Sequence, residues 1–78
     1  MNMDTINTFG IDVETKDRNN RIRRLKRIKA TKDVTDGGVY SMDGNYAQVH
    51  VTTEWDEDKL EDWLWATKGV NYIGVFAR

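Results

Sequence analysis

Seventy-eight residues are enough for one domain around one core and too few for a second. The chain has no Cys, which excludes a disulfide framework and a thiolate metal site, so packing and hydrogen bonds must hold the fold. Its 12 Lys/Arg and 13 Asp/Glu leave a net charge of −1 that hides two opposed blocks: Lys16 to Lys32 carries nine basic residues against Asp17 alone, and Glu54 to Asp62 carries six acidic residues against Lys59 alone.

The first element is Thr5 to Thr15, where Phe9, Ile11 and Val13 alternate with Thr8, Gly10, Asp12 and Glu14, the pattern of a half-buried strand. From Asn20 the period changes. Ile22, Leu25 and Ile28 fall three apart, and a strand would put Arg24 and Lys26 on the face of Ile22 and Ile28, so the segment from Arg21 to Thr31 is expected to be helical. Asp17, Asn19 and Asn20 are its candidate caps. If this segment were instead a strand, the fold would become a meander with one helix.

Asp33 to Gly38 reads as a turn, with Val39 to Met42 a short strand after it. Asp43-Gly44 is the dipeptide of a two-residue hairpin, which would set Ser41 opposite Tyr46, Tyr40 opposite Ala47 and His50 opposite Gly37. The returning strand, Tyr46 to Thr53, would face Ala47, Val49 and Val51 to the core and Tyr46, Gln48, His50 and Thr52 away from it.

A second helix is signalled by Leu60, Trp63, Leu64 and Thr67 at i, i+3, i+4 and i+7, with Asp56 as N-cap, Trp55 as a hydrophobic staple on Leu60, Lys68 near its C-terminus and Gly69 as its stop. The last strand, Val70 to Ala77, would turn Ile73 and Val75 inward and Tyr72, Gly74 and Phe76 outward. The order strand, helix, strand, strand, helix, strand, joined by two right-handed crossovers, predicts an α+β ferredoxin-like βαββαβ sandwich. One four-stranded antiparallel sheet would carry both helices on one face, in a single compact domain over residues 1–78. Met1 to Phe9 is polar, and no apolar run nears membrane-spanning length, so a soluble, cytoplasmic protein is expected.

Three constellations bear on function. Glu57, Asp58, Glu61 and Asp62 make the second helix acidic, and Trp65 lies a step round that helix from Leu64. It is either a core-edge residue or, if exposed beside Glu61 and Asp62, part of an aromatic and acidic patch of the kind that anchors protein interfaces. Tyr46, His50, Tyr72 and Phe76 are expected to cluster on the open sheet face, where exposed aromatics imply a covering partner, a second copy of the chain, or stacked bases. Arg23, Arg24, Lys26 and Arg27 form a basic face suited to phosphates, unless the neighbouring acidic helix neutralises it through exposed pairs that contribute only about 0–1 kcal/mol each. The run Gly44-Asn45-Tyr46-Ala47 followed by Val49 resembles the third-strand signature of the RNA-recognition motif, but Asp43 stands where that family has a basic residue and the spacing is short.

Chemistry has little footing. His50 is the only His and Ser41 the only Ser, and the expected hairpin keeps them apart, which leaves Asp12 and His50 across adjacent strands as a weak acid-base pair. No enzyme, cofactor or metal is expected. The chain reads as a small module that binds and modulates or inhibits another protein, in the general style of bacteriophage accessory proteins acting on host machinery. A single-stranded RNA or DNA binder is the alternative.

Overall fold

A computed structural model of the chain describes residues 6–41, 43–67 and 72–78. The strands are β1 (Asn7–Glu14), β2 (Thr31–Val39), β3 (Tyr46–Thr53) and β4 (Gly74–Ala77). The helices are α1 (Arg18–Leu25), which a 3-10 turn at Thr15–Asp17 leads into, and α2 (Glu57–Ala66). All strand pairings are antiparallel and the sheet order is β2-β3-β1-β4. Each helical connection therefore steps over a strand, α1 past β3 and α2 past β1, and this is the ferredoxin-like βαββαβ arrangement.

One cluster makes the core. Phe9, Ile11 and Val13 from β1, Ala47, Val49 and Val51 from β3, and Val34 from β2 pack with Leu25 and Ile28 from the first crossover and Leu60 and Leu64 from α2, so both helices lie on the same sheet face. The strict period of two in β1 and β3 fixes which face that is. Asp56 caps α2, its carboxylate accepting the Lys59 N–H at 2.8 Å. Trp55 before the cap packs against the core cluster, as a staple should. None of the described helices is long and apolar enough to cross a membrane.

Helix α1 is shorter than its apolar stripe. It ends at Leu25, and Ile28 reaches the core through tight turns, Arg27 N–H to Arg24 at 3.1 Å and Ile28 N–H to Leu25 at 3.2 Å. Asp17 occupies the N-cap position without capping, because its carboxylate accepts a bond from Arg21 Nη2 at 3.1 Å. Arg21 is only 4% exposed.

Strand β2 starts earlier than the turn-rich sequence implies, at Thr31 instead of Val39. Asp36-Gly37-Gly38 is a bulge inside it: the register with β3 shifts between Asp36 and Gly38, Gly38 takes φ +89°, and the Asp36 carboxylate accepts the Gly38 N–H at 2.8 Å. A second shift falls at Lys32, between Thr31 and Asp33. The hairpin register is corrected as well. Val39 pairs with Ala47 and Thr35 with His50, while Tyr40 N–H donates to Tyr46 at 3.2 Å. The loop from Ser41 to Asn45 is longer than a two-residue turn because Asp43 bonds forward to Asn45 and accepts the Ser41 hydroxyl, with Gly44 at φ +75°.

The last strand is also shorter than its apolar run. It begins at Gly74, so the alternation does not reach Ile73, which is 54% exposed, or Tyr72, which packs beside the core on the helix side. The expected stop at Gly69, the cation Lys68 and the strand start at Val70 lie outside the described residues.

Candidate binding faces

Helix α2 spends Leu60 and Leu64 on the core, which turns its carboxylates and Trp65 outward. Trp65 is 82% exposed, so it is not a core-edge residue. Among the described residues its one ring neighbour is Tyr72, met edge-on at 6.5 Å between centroids with the planes at 86°. Burial raises the Tyr72 hydroxyl above the ordinary tyrosine pKa, and the Glu61 and Asp62 carboxylates add to the rise. Among the described residues, Glu57, Asp58, Glu61 and Asp62 have no ion pair. Lys59, the one cation of the block, holds its ammonium 5.0 Å from the centre of the Trp55 ring.

The basic block pairs mostly within its own neighbourhood: Arg18 with Asp36, Arg21 with Asp17, and Lys16 with Glu14 at 3.3 Å. Of the described residues only Lys32, 3.6 Å from Glu54, links it to the acidic block. Among the described residues no ion pair joins α1 to α2. Arg23, Arg24, Lys26 and Arg27 are exposed. Arg24, Arg27 and Lys29 rim a cleft of about 310 Å³ completed by Ile28, Trp63 and Thr67.

The open sheet face carries Tyr46, His50 and Phe76 as the alternation predicts, but not Tyr72, and Tyr40 joins it through the corrected register. Tyr40 and Tyr46 stack at 6.4 Å between ring centroids, 24° between planes. Burial raises the Tyr40 hydroxyl, and nearby Asp12 raises it further. At the centre lies Gln48. Its Nε2 donates to Asp12 Oδ1 at 3.0 Å, and its Oε1 accepts from Arg78 Nη1 at 2.8 Å and lies 3.0 Å from His50 Nε2. Arg78 is donor-only, so Gln48 presents its oxygen to Arg78 and His50 and its nitrogen to Asp12. Asp12 and His50 are thus joined through the Gln48 amide and not in direct contact in any hydrogen bond among the described residues. Ser41 is bonded to Asp43 in the hairpin loop and has no link to His50.

Gln48 and Arg78 were not singled out by residue type. The alternation puts Gln48 on this face, but an amide advertises no chemistry until its partners are known. Among the described residues no group of His, Asp and Glu side chains is placed to hold a metal ion. The chain matches no protein-family model, no curated protein and no solved structure.

Proposed function

We propose that this protein is a small non-enzymatic binding module that engages a partner protein through α2 and blocks a basic surface on it. The observation that carries this reading is Trp65, 82% exposed among carboxylates that make no ion pair among the described residues. A Trp adds to folding by burial, and this one adds almost none, since Leu60 and Leu64 fill the core side of the helix. Buried in a partner's pocket, it becomes the large anchor residue that dominates protein interfaces. The carboxylates around it speed encounter with a cationic surface and reject anionic ones.

The open sheet face is the weaker candidate because its polar groups satisfy one another and Tyr40 and Tyr46 stack together. A module that presents carboxylates and an indole to cationic surfaces suits an inhibitor of nucleic-acid-handling machinery, the role that a bacteriophage accessory protein plays against its host.

The test is capture of a partner from host lysate by the wild-type chain, then calorimetry with the purified partner. Trp65→Ala and the charge reversal Glu57→Lys, Asp58→Lys, Glu61→Lys, Asp62→Lys should each keep the far-UV spectrum and lose the partner. Undiminished binding by both variants would remove α2 as the interface.

A further inference from the structure

The cleft beside α1 combines three features. Its rim is cationic, with Arg24, Arg27 and Lys29 supplying only hydrogen-bond donors. Among the described residues none of them has an ion-pair partner. Its floor is apolar, formed by buried Ile28 and half-buried Trp63.

Compensation of the helix end does not account for these charges. The C-terminus of a helix presents about half a negative charge, whereas Arg23, Arg24, Lys26, Arg27 and Lys29 bring five positive ones within seven residues. The acidic helix does not account for them either, since no ion pair crosses from α1 to α2 among the described residues. What remains is a cleft of about 310 Å³ whose lining brings Arg24, Arg27 and Lys29 together with Trp63.

We propose that this cleft binds single-stranded nucleic acid, with a phosphodiester between Arg24, Arg27 and Lys29 and an unstacked base against Trp63. Phosphate alone would need only the cations, and an apolar ligand only the floor, so the combination selects a ligand that is anionic and flat at once. A duplex keeps its bases stacked inside and cannot present one to a recessed ring. The carboxylates of α2 repel the strand and confine it to the side where Arg23 and Lys26 continue the positive track. The nucleic-acid site is therefore on the helical layer instead of the aromatic sheet face.

The test uses the full chain carrying Trp55→Phe and Trp65→Phe, so that Trp63 is the only indole, titrated with a twelve-residue oligothymidylate at several salt concentrations. Saturable quenching of Trp63 is expected, with affinity falling as salt rises at a slope of log affinity on log salt of about −0.7 for the phosphodiester held in the cleft. Arg24→Gln with Arg27→Gln should weaken binding at least tenfold and flatten the salt dependence. Both residues are exposed, so these changes leave the core untouched. Absence of quenching at millimolar oligonucleotide overturns the proposal. So does equal affinity for inorganic polyphosphate or for a duplex of the same length, because a site that reads charge alone has no use for Trp63. The α2 charge reversal separates the two readings: it should abolish protein binding while preserving or strengthening oligonucleotide binding.

Discussion

Gly10 lies beneath the side-chain amide of Gln48, so close that a Cβ on Gly10 would come within 2.7 Å of Gln48 Cδ. The two residues sit on neighbouring strands, Gly10 paired with His50 and Gln48 with Asp12. The bare backbone at Gly10 lets the amide lie flat across β1, where it reaches Asp12 on one side and meets His50 and Arg78 on the other. A side chain at Gly10 would lift the amide off the sheet and break the chain of donors.

Gly10→Ala should therefore cost about 1–2 kcal/mol, mainly through lost hydrogen bonds and crowding. Urea unfolding measures the cost, and the side-chain amide resonances of Gln48 report the displacement. In a Gln48→Ala background the same change should be nearly neutral, because the atoms it strikes are gone. Equal cost in both backgrounds would place the strain in the backbone instead.

Gly37→Ala should be worse than Gly10→Ala. The added Cβ would fall 2.6 Å from the backbone oxygen of Gln48, which cannot swing aside as a side chain can. A loss of about 2–3 kcal/mol is expected, read as a fall in the urea midpoint at unchanged slope.

Leu64 and Trp65 are neighbours in sequence with opposite duties. Leu64→Ala opens a cavity in the core and should cost about 2–5 kcal/mol, whereas Trp65→Ala should change stability by about 0.5 kcal/mol or less. Thermal melts of the two variants test the assignment: a large loss from Trp65→Ala would make that ring structural. Asp56→Ala removes the cap of α2 and should fall between them, at about 1 kcal/mol.

Acid should weaken the fold through β2 and the hairpin loop. The Gly38 N–H, aided by the Arg18 guanidinium, holds the Asp36 carboxyl below its ordinary value, and the Ser41 hydroxyl with the Asn45 N–H does the same for Asp43. A depressed folded pKa stabilises above the ordinary carboxylate range and is lost as pH falls through the lower folded value. The urea midpoint should decline below about pH 4, and more gently in the variant Asp36→Asn, Asp43→Asn. An identical decline in that variant would assign the acid sensitivity to other carboxylates.

Elements whose apolar residues keep one period over their whole length were legible in the sequence. Strands β1 and β3 alternate without interruption, and α2 carries both its stripe and its cap, which is enough to order the sheet. Strand β2 was not legible because only Val34 marks its inward face and because Asp36-Gly37-Gly38, the residue types of a turn, here build a bulge. The local bonds of Asp43 shift the hairpin register by one and bring Tyr40 to the open face, and the extra residue at the bulge adds a second step that sets Thr35, not Gly37, opposite His50. Tyr72 escapes its expected face because β4 starts two residues after it. Buried Arg21 had one signal, Asp17 four residues before it, which only a partnered arginine makes meaningful. In the candidate sites, the acidic helix and the basic run were visible as charge, whereas the placement of Trp63 among arginines depends on how the segment after α1 crosses α2.

The interruptions in β2 also govern what the rim of the sheet offers to other molecules. β2 is one outer strand, bent at Lys32 and again at Gly37, with Lys32, Asp33 and Asp36 spaced along it. The opposite rim is β4, only four residues long. One rim is interrupted and charged and the other is short, so neither offers a long, regular row of free amides and carbonyls on which a second chain could lengthen the sheet. Concentrated solutions of this protein should therefore resist conversion into cross-β fibrils, and its exposed aromatic and charged surfaces can serve recognition without exposing the backbone to runaway assembly.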